Sequence, residues 1–315
     1  MAIRDLISSE KVEGNFIIKF KKPVQKYAKG YGFQLNIGDS SGSIMLKYWG
    51  TDNESHVNGL YESLNIDDVI FISGKTNLYN DVISINVDSS GEIRKLKEGE
   101  YDLSEFVRVS ERDIEKMSSA LNGFLNSVKN PELKKLIGSF AKDAEFMEKF
   151  RKHPAAIYRH QGWIGGLMEH TLNMMTICES MSTIYPELDR DLMITGCFIH
   201  DIGKLEELEV SGSIKATEDG IMVGHLTLGV LMLEKIMRKI GTPETLRRKL
   251  LNISISHHGQ LEYGSPKLPA FPEALVVAQA DMMDSQVCTM VDFKKNAQTE
   301  DKFAYNKDMG NIYLE

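Results

Sequence analysis

Cysteine is scarce in this 315-residue chain: Cys178, Cys197 and Cys288 lie in apolar stretches, and no two of them make a CxxC spacing. That usage argues against thiolate metal ligands and reads as reduced core residues of a cytoplasmic protein. Long apolar runs are missing as well. No segment approaches membrane-spanning length, and the start, Met1-Ala2-Ile3-Arg4-Asp5, lacks the apolar region of a signal peptide, so no membrane partner is expected. Nor is there an excess of positive charge. With 37 Lys and Arg against 45 Asp and Glu the net charge is −8, which excludes coating of nucleic acid by bulk electrostatics. Internal repeats and low-complexity tracts are absent too. What is present is an ordinary globular composition, 42% hydrophobic and 26% charged, in a chain long enough for two domains.

Two asymmetries divide the chain. Residues 1–50 carry eight Lys or Arg against four Asp or Glu, much of it in Lys19, Lys21, Lys22, Lys26 and Lys29. Such a run is either a solvated loop or, if this domain is a binding module, a local basic track. Histidine is biased the other way: of eight, seven follow residue 150, namely His153, His160, His170, His200, His225, His257 and His258.

The first part reads as strands. Residues 15–20 form a short apolar run, and 31–37 and 43–49 alternate with period two around the turn cluster Gly38-Asp39-Ser40-Ser41-Gly42, a hairpin. Residues 68–74 and 82–87 supply two more strands around Asn80-Asp81, with a short helix near 52–64. Five strands and one helix suit a small closed β-barrel, and the wording "LNIGDSSGSIMLKYW", then "DDVIFISGKTNLYNDVISINV", resembles an OB-fold nucleic-acid-binding domain. Such a barrel binds single strands through stacking aromatics and a basic groove. Period two puts Phe33 with Leu35 and Ile37 on the core face and sends Tyr48 and Trp49 to opposite faces, leaving Tyr48 and Tyr79 as the stacking candidates beside a packing role for either.

Residues 90–108 read as a polar connector. Helices are expected after it: one from the capping pattern Ser110-Glu111-Arg112-Asp113 to about Val128, one opened by Asn130-Pro131, then 143–152, 166–185, 189–200, 226–240 and 243–256. The expected organisation is a barrel over 1–90, a linker with the first helix over 91–130, and an all-α bundle over 131–315.

The bundle carries the chemistry. An apolar helical run ends in His200-Asp201-Ile202-Gly203-Lys204. An adjacent buried His and Asp are costly to desolvate unless a partner such as a divalent cation takes both. Read alone, the stretch is equally a helix C-terminus with Lys204 at the negative end of the dipole. His170 and His225 each stand where an apolar helix begins, His257-His258 closes another, and Asp281 lies inside an otherwise apolar helix, where a buried carboxylate needs a cation. The loop before His170 contains Arg159, His160 and Trp163, which either contact a substrate's phosphate or base or serve a structural loop.

The order His170, His200-Asp201, His225, His257-His258, Asp281 resembles the HD-domain metal-dependent phosphohydrolases. The resemblance implies one metal held by His170, His200, Asp201 and Asp281. It implies a second that shares Asp201 and takes His225 and His257, with His258 close by or substituting. Asp201 and Lys204 would then be catalytic, Lys204 stabilising charge on a phosphate.

Over nearly the whole chain, "GGLMEHTL", "FIHDIGKLEEL", "VGHLTLGV", "SHHGQLEYGSPKLPAFPEAL" and the tail "DKFAYNKDMGNIY" resemble the YhaM family of 3′→5′ exoribonucleases, with Ala278 where the family often has a His. This implies metal-dependent hydrolysis of single-stranded RNA, or of single-stranded DNA, by a two-metal-activated water. The metal expected is Mn²⁺, with Mg²⁺, Fe²⁺, Co²⁺ or Ni²⁺ as alternatives. Gly264 and Ser265 would shape the pocket entrance, and the resemblance also implies a homo-oligomer. The alternatives are an HD phosphohydrolase of a small or cyclic nucleotide with a regulatory barrel, and a non-catalytic nucleic-acid-binding protein.

Overall fold

One long, bent strand organises the first part of the molecule. In the computed structural model, which describes residues 2–315 except 81, 89, 98, 158, 159 and 298, β1 (Lys11–Tyr27) pairs twice. Its first half runs antiparallel to β4 (Val69–Tyr79), and its second half antiparallel to β2 (Gly30–Asp39). Register shifts between Ile18 and Phe20 and between Lys22 and Gln25 bend it, and Pro23, which cannot donate to a ladder, falls in the second. The hairpin partner of β2 is β3 (Gly42–Trp49); α1 (Glu54–Ser63) follows, capped by Asn53. β5 (Val82–Val87) pairs antiparallel to β4 and parallel to β3. The ring β1-β2-β3-β5-β4-β1 therefore closes on itself, the topology of an OB-type barrel.

Alternation explains what fills it: Phe33, Leu35 and Ile37 from β2, Leu46 from β3, Ile70 and Ile72 from β4 and Ile85 and Val87 from β5 are buried together. The stretch after β5, expected to be a polar connector, instead contributes β6 (Glu92–Lys95), antiparallel to β4. Its four residues, Glu-Ile-Arg-Lys, are mostly exposed, and an edge strand that buries little leaves no apolar alternation to read.

The rest is helical: α2 (Ile114–Ser127), α3 (Pro131–Ala141), α4 (Ala144–Lys152), α5 (Gly166–Ile184), α6 (Arg190–Ile199), α7 (Lys204–Glu207), α8 (Glu218–Met222), α9 (His225–Ile240), α10 (Glu244–Ser256) and α11 (Pro272–Asn296). Two short hairpins interrupt it, β7 (Leu208–Val210) with β8 (Ile214–Ala216), and β9 (Phe303–Asn306) with β10 (Gly310–Tyr313). The chain separates into two compact units, residues 1–108 with 210–213, and 109–209 with 214–315. No helix of the described residues is long and apolar enough to cross a membrane.

Local chemistry sets most helix ends. Asn130 caps α3 with Pro131 in its first turn, and Asp189 caps α6. The cap of α2 is Asp113, whose Oδ1 accepts from the backbone of Glu115 and Lys116. Ser110, the first residue of the expected capping pattern, is drawn away, because its hydroxyl donates to Glu169 at 2.7 Å. The core beneath is one apolar cluster in which Phe198 of α6 meets Phe140 of α3 and Phe150 of α4, each within 6 Å between ring centres. Parts of α5, α6, α9, α10 and α11 contribute to this cluster.

Candidate metal centre

Five helices deliver the polar groups. His170 lies in the second turn of α5, whose N-cap Gly165 has φ 83°. His200 and Asp201 follow the last turn of α6, His225 opens α9 after Gly224 at φ 77°, and His257 caps α10 with His258 next. Asp281 and Asp284 share the buried face of α11, three residues apart. The structure brings all seven of His170, His200, Asp201, His225, His257, His258 and Asp281 together, six in two clusters and Asp201 between them. In one, ligand atoms of His170, His200 and Asp281 lie within 4.8 Å of one another; in the other, those of His225, His257 and His258 do.

Asp201 stands between the clusters. Its Oδ2 is 3.1 Å from His200 Nε2 and 4.0 Å from His170 Nε2, and its Oδ1 is 3.4 Å from His257 Nε2 and 3.7 Å from His225 Nε2. Lys204 Nζ reaches Oδ2 at 2.6 Å. Lys204 is buried on the inner side of a tight turn, not a solvated C-terminal lysine.

The five histidines of the two clusters are oriented alike. Nδ1 of His200, His257 and His258 meets the carbonyl oxygens of Cys197, Ser254 and Tyr263 at 2.7, 2.8 and 2.9 Å, while Nδ1 of His170 and His225 meets carboxylate oxygens of Asp284 and Glu207 at 2.7 and 2.9 Å. Carbonyls and carboxylates only accept, so each Nδ1 carries a proton and each ring turns its Nε2 inward. His225 Nε2 faces His258 Nε2 at 3.2 Å, and His170 Nε2 faces His200 Nε2 at 3.3 Å. Lone pairs cannot bond to one another at that distance; a proton or a cation has to lie between them. Asp201 Oδ1 and His257 Nε2 are buried with no hydrogen-bond partner at all. The donor set, imidazoles each held at Nδ1 together with the carboxylates of Asp201 and Asp281, fits divalent metal ions.

Charge states differ across the centre. Burial would raise the Asp201 carboxyl and strip the Lys204 ammonium, but Lys204 and His200 hold Asp201 well below the usual carboxylate range and Asp201 keeps Lys204 charged. Burial also pulls on His170, yet Asp281 and Asp284 outweigh it and raise its pKa to about 9. His258 is lowered to about 4 by burial and the neighbouring His257.

Around this centre, His160 is half-buried with its ring 5.5 Å from that of His170. Trp163 donates its indole N–H to Glu169 at 3.0 Å, in the first turn of α5. Gly264, at φ 92°, ends the turn whose Tyr263 carbonyl holds His258, and Ser265 is buried behind it. Arg159 lies outside the described residues. Ala278 is buried on α11, one turn before Asp281. Sequence reasoning gave no role to Asp284, Glu207, Gln161 or Asn173. The spacing of Asp284 from Asp281 on one helical face was a usable signal for the first; the others carried none.

On the barrel, a cleft of about 200 Å³ is lined by Lys22, Lys26, Tyr27, Lys47, Tyr48 and Trp49 among others. It takes in both Tyr48 and Trp49 although β3 alternates. β3 ends at Trp49, whose ring stands edge-on to Tyr27 at 4.9 Å, and Tyr48 packs on Phe33 at 4.9 Å. Tyr79, 67% exposed near the β4–β5 turn, is not part of this cleft.

The family model that matches the chain is the HD domain, over residues 167–285. Residues 167–285 are an HD domain. The His200-Asp201 pair and every residue of the two clusters fall inside the matched span. The HD-bearing chain is similar to the 3′-5′ exoribonuclease YhaM of Listeria welshimeri, 27% identical over 81% of this chain and 79% of that protein. It is similar to the YhaM of Bacillus subtilis at 28% identity, with the same coverage of both. The resemblance carried by the sequence motifs therefore extends over most of the chain. Among solved structures, the OB domain of Ta0387 from Thermoplasma acidophilum is 18% identical, covering 32% of this chain and 91% of that one with a TM-score of 0.26; the barrel assignment rests on the strand order above.

A tight contact positions the second cluster inside the HD domain. A Cβ on Gly203 would lie 1.9 Å from the His225 carbonyl oxygen and 2.5 Å from the Gly229 nitrogen, so only glycine lets the start of α9 approach Asp201. Gly203→Ala is expected to cost about 1–3 kcal/mol of stability. It should also lower divalent-metal affinity by on the order of tenfold, because the displaced imidazole no longer faces the carboxylate. Thermal melting and calorimetric metal titration check this; wild-type values for both would mean that α9 yields without moving His225.

Proposed function

We propose that the protein is a metal-dependent 3′→5′ exoribonuclease that hydrolyses the terminal phosphodiester of single-stranded RNA, with single-stranded DNA as a second substrate. The observation that carries the reading is Asp201, with one oxygen turned to each of two histidine clusters. That arrangement suits two divalent ions, Mn²⁺ foremost, sharing one carboxylate. His170, His200 and Asp281 would hold one ion, and His225, His257 and His258 the other. Bound ions of this kind supply positive charge to phosphate oxygens and make water a nucleophile near neutral pH. The chain's own residues do the rest. Asp201 keeps the two clusters at a fixed separation, and Lys204, kept cationic by Asp201, offers a buried ammonium to the charge that develops on the phosphate. The half-buried His160, beside His170, is a candidate to touch the terminal nucleotide.

The activity in the names of the similar proteins supports RNA as the substrate and the 3′ end as the start. On the barrel, the cleft with three lysines and four aromatic rings has the composition that tracks a single strand, the lysines on phosphates and Trp49 or Tyr48 against a base. Incubation of the whole protein with Mn²⁺ and 5′-labelled single-stranded RNA should give a ladder of progressively shorter labelled species. Intact RNA beside a hydrolysed nucleotide or cyclic nucleotide would replace this reading with small-molecule phosphohydrolysis.

A further inference from the structure

Of the five inward-facing imidazoles, three are held from behind by backbone carbonyls and two by carboxylates. The two are not in the same cluster. Asp284 stands behind His170, and Glu207 stands behind His225. A carboxylate on Nδ1 fixes the tautomer as a carbonyl does. Unlike a carbonyl, it also pushes electron density through the ring and makes Nε2 a stronger donor toward a cation.

Both carboxylates are themselves held. Asp284 is nearly buried; its Oδ2 accepts from Gln161 Nε2 at 2.8 Å as well as from His170, and its Oδ1 accepts from Asn173 Nδ2 at 2.8 Å. Gln161 is 1% exposed and adopts a left-handed backbone, φ 46°, which a side chain with a Cβ takes only when its surroundings impose it. Its carbonyl accepts from the backbone N–H groups of Ala155 and Trp163, which ties both to this one residue. Glu207 Oε1 accepts from both Nδ1 and the backbone N–H of His225, locking the first residue of α9 by ring and main chain together.

From this geometry we infer that Asp284 and Glu207 are positioning residues, one for each metal position: Asp284 aims and strengthens His170, Glu207 does the same for His225, and Gln161 holds Asp284 in place. The inference rests on the two-ion reading above. It assigns each ion a separate carboxylate that touches no ion, so the two positions can be weakened one at a time.

The test is calorimetric titration of the chelated, full-length protein with Mn²⁺, repeated with Co²⁺ while following its visible absorption. Asp284→Asn should weaken one of the two binding steps by about 10- to 100-fold and leave the other. Glu207→Gln should weaken the other step by a similar factor, and each variant should lose one of the two Co²⁺ absorption increments at wild-type saturating concentrations. Chelated Asp284→Asn is expected to melt below chelated wild type, since the amide supports a protonated His170 less well, so its binding steps are read at a temperature where circular dichroism shows it folded. Gln161→Met is the second variant, which removes one bond to Asp284 without touching a carboxylate; it should weaken the Asp284 step alone, by several-fold. Unchanged constants in all three variants would overturn the inference, as would both steps falling equally in each single variant. A wild-type protein that saturates at one ion overturns the two-ion reading and the role of Glu207 at a second position. Asp284 is then judged by whether Asp284→Asn weakens that single ion.

Discussion

Asp201→Asn should reduce RNA hydrolysis at least about a thousandfold while leaving single-stranded RNA bound. The size follows from geometry. Both oxygens of Asp201 are committed, Oδ2 toward His200, His170 and Lys204 and Oδ1 toward His257 and His225, so no rotamer of an amide can replace them. One of the two oxygens becomes an NH₂ group, pointing a donor either at Lys204 or at the lone pairs of the histidine cluster. The negative charge that two cations would share is lost with it. The same change leaves the buried Lys204 ammonium without its principal counter-charge, which costs on the order of 3–5 kcal/mol where a buried pair is broken from one side. Hydrolysis of labelled RNA, filter binding of the same RNA and thermal melting separate the three effects. A folded Asp201→Asn protein that hydrolyses at near the wild-type rate would refute the assignment of this centre as the active site.

Chelation should stop hydrolysis altogether, and the return of activity with Mn²⁺ should depend steeply on pH. In the ion-free protein His170 is held protonated, with a pKa raised to about 9 by Asp281 and Asp284 against the pull of burial. An ion bound to its Nε2 has to displace that proton. Below pH 9 the apparent affinity at this position therefore falls roughly tenfold for each unit of acidification, since one proton is released per ion bound. The linkage to folding has the opposite sign. A histidine whose folded pKa lies above its unfolded value stabilises the chelated protein fully below about pH 6.5, the unfolded value, and that stability is lost as pH rises through 9. For this buried group it is on the order of 3 kcal/mol. Chelated protein should thus melt lower at pH 9.5 than at pH 6.5, while Mn²⁺ binds more tightly at the higher pH. Calorimetry in two buffers of different ionisation enthalpy counts the released proton, and a pH-independent dissociation constant would remove His170 from the ligand set.

The pairing of these effects follows from how the centre is built. Its ion-free form is held together by a proton at His170 and an ammonium at Lys204, both lying against carboxylates that a metal would use. Proton and metal compete for the same lone pairs, so acid protects the empty fold and alkali favours the loaded one.

Much of this could be read from the chain alone, because it is encoded locally. The strands at 31–37 and 43–49 and the turn between them are local facts of period and glycine placement, and they fall within β2 and β3, whose pairing runs on to Asp39 and Gly42 and leaves Ser40-Ser41 as the turn. The helices α3 and α6 announce themselves through Asn130-Pro131 and Asp189. The metal-ligating residue types stand out because a histidine or aspartate buried beside an apolar helical run is costly without a counter-charge or a cation, and the structure gathers the seven named ones within one centre. Tertiary structure decided what no local pattern encodes. Closure of the barrel depends on β3 running parallel to β5 and on β1 serving two partners, pairings that join residues more than 30 apart and that leave no mark on either segment's alternation. The carboxylate behind His170 comes from Asp284, 114 residues further on, and the chain offers 45 acidic residues from which to choose. Which of them meets an imidazole is set by the directions in which side chains leave two packed helices. That is a property of the packing, absent from either helix taken alone.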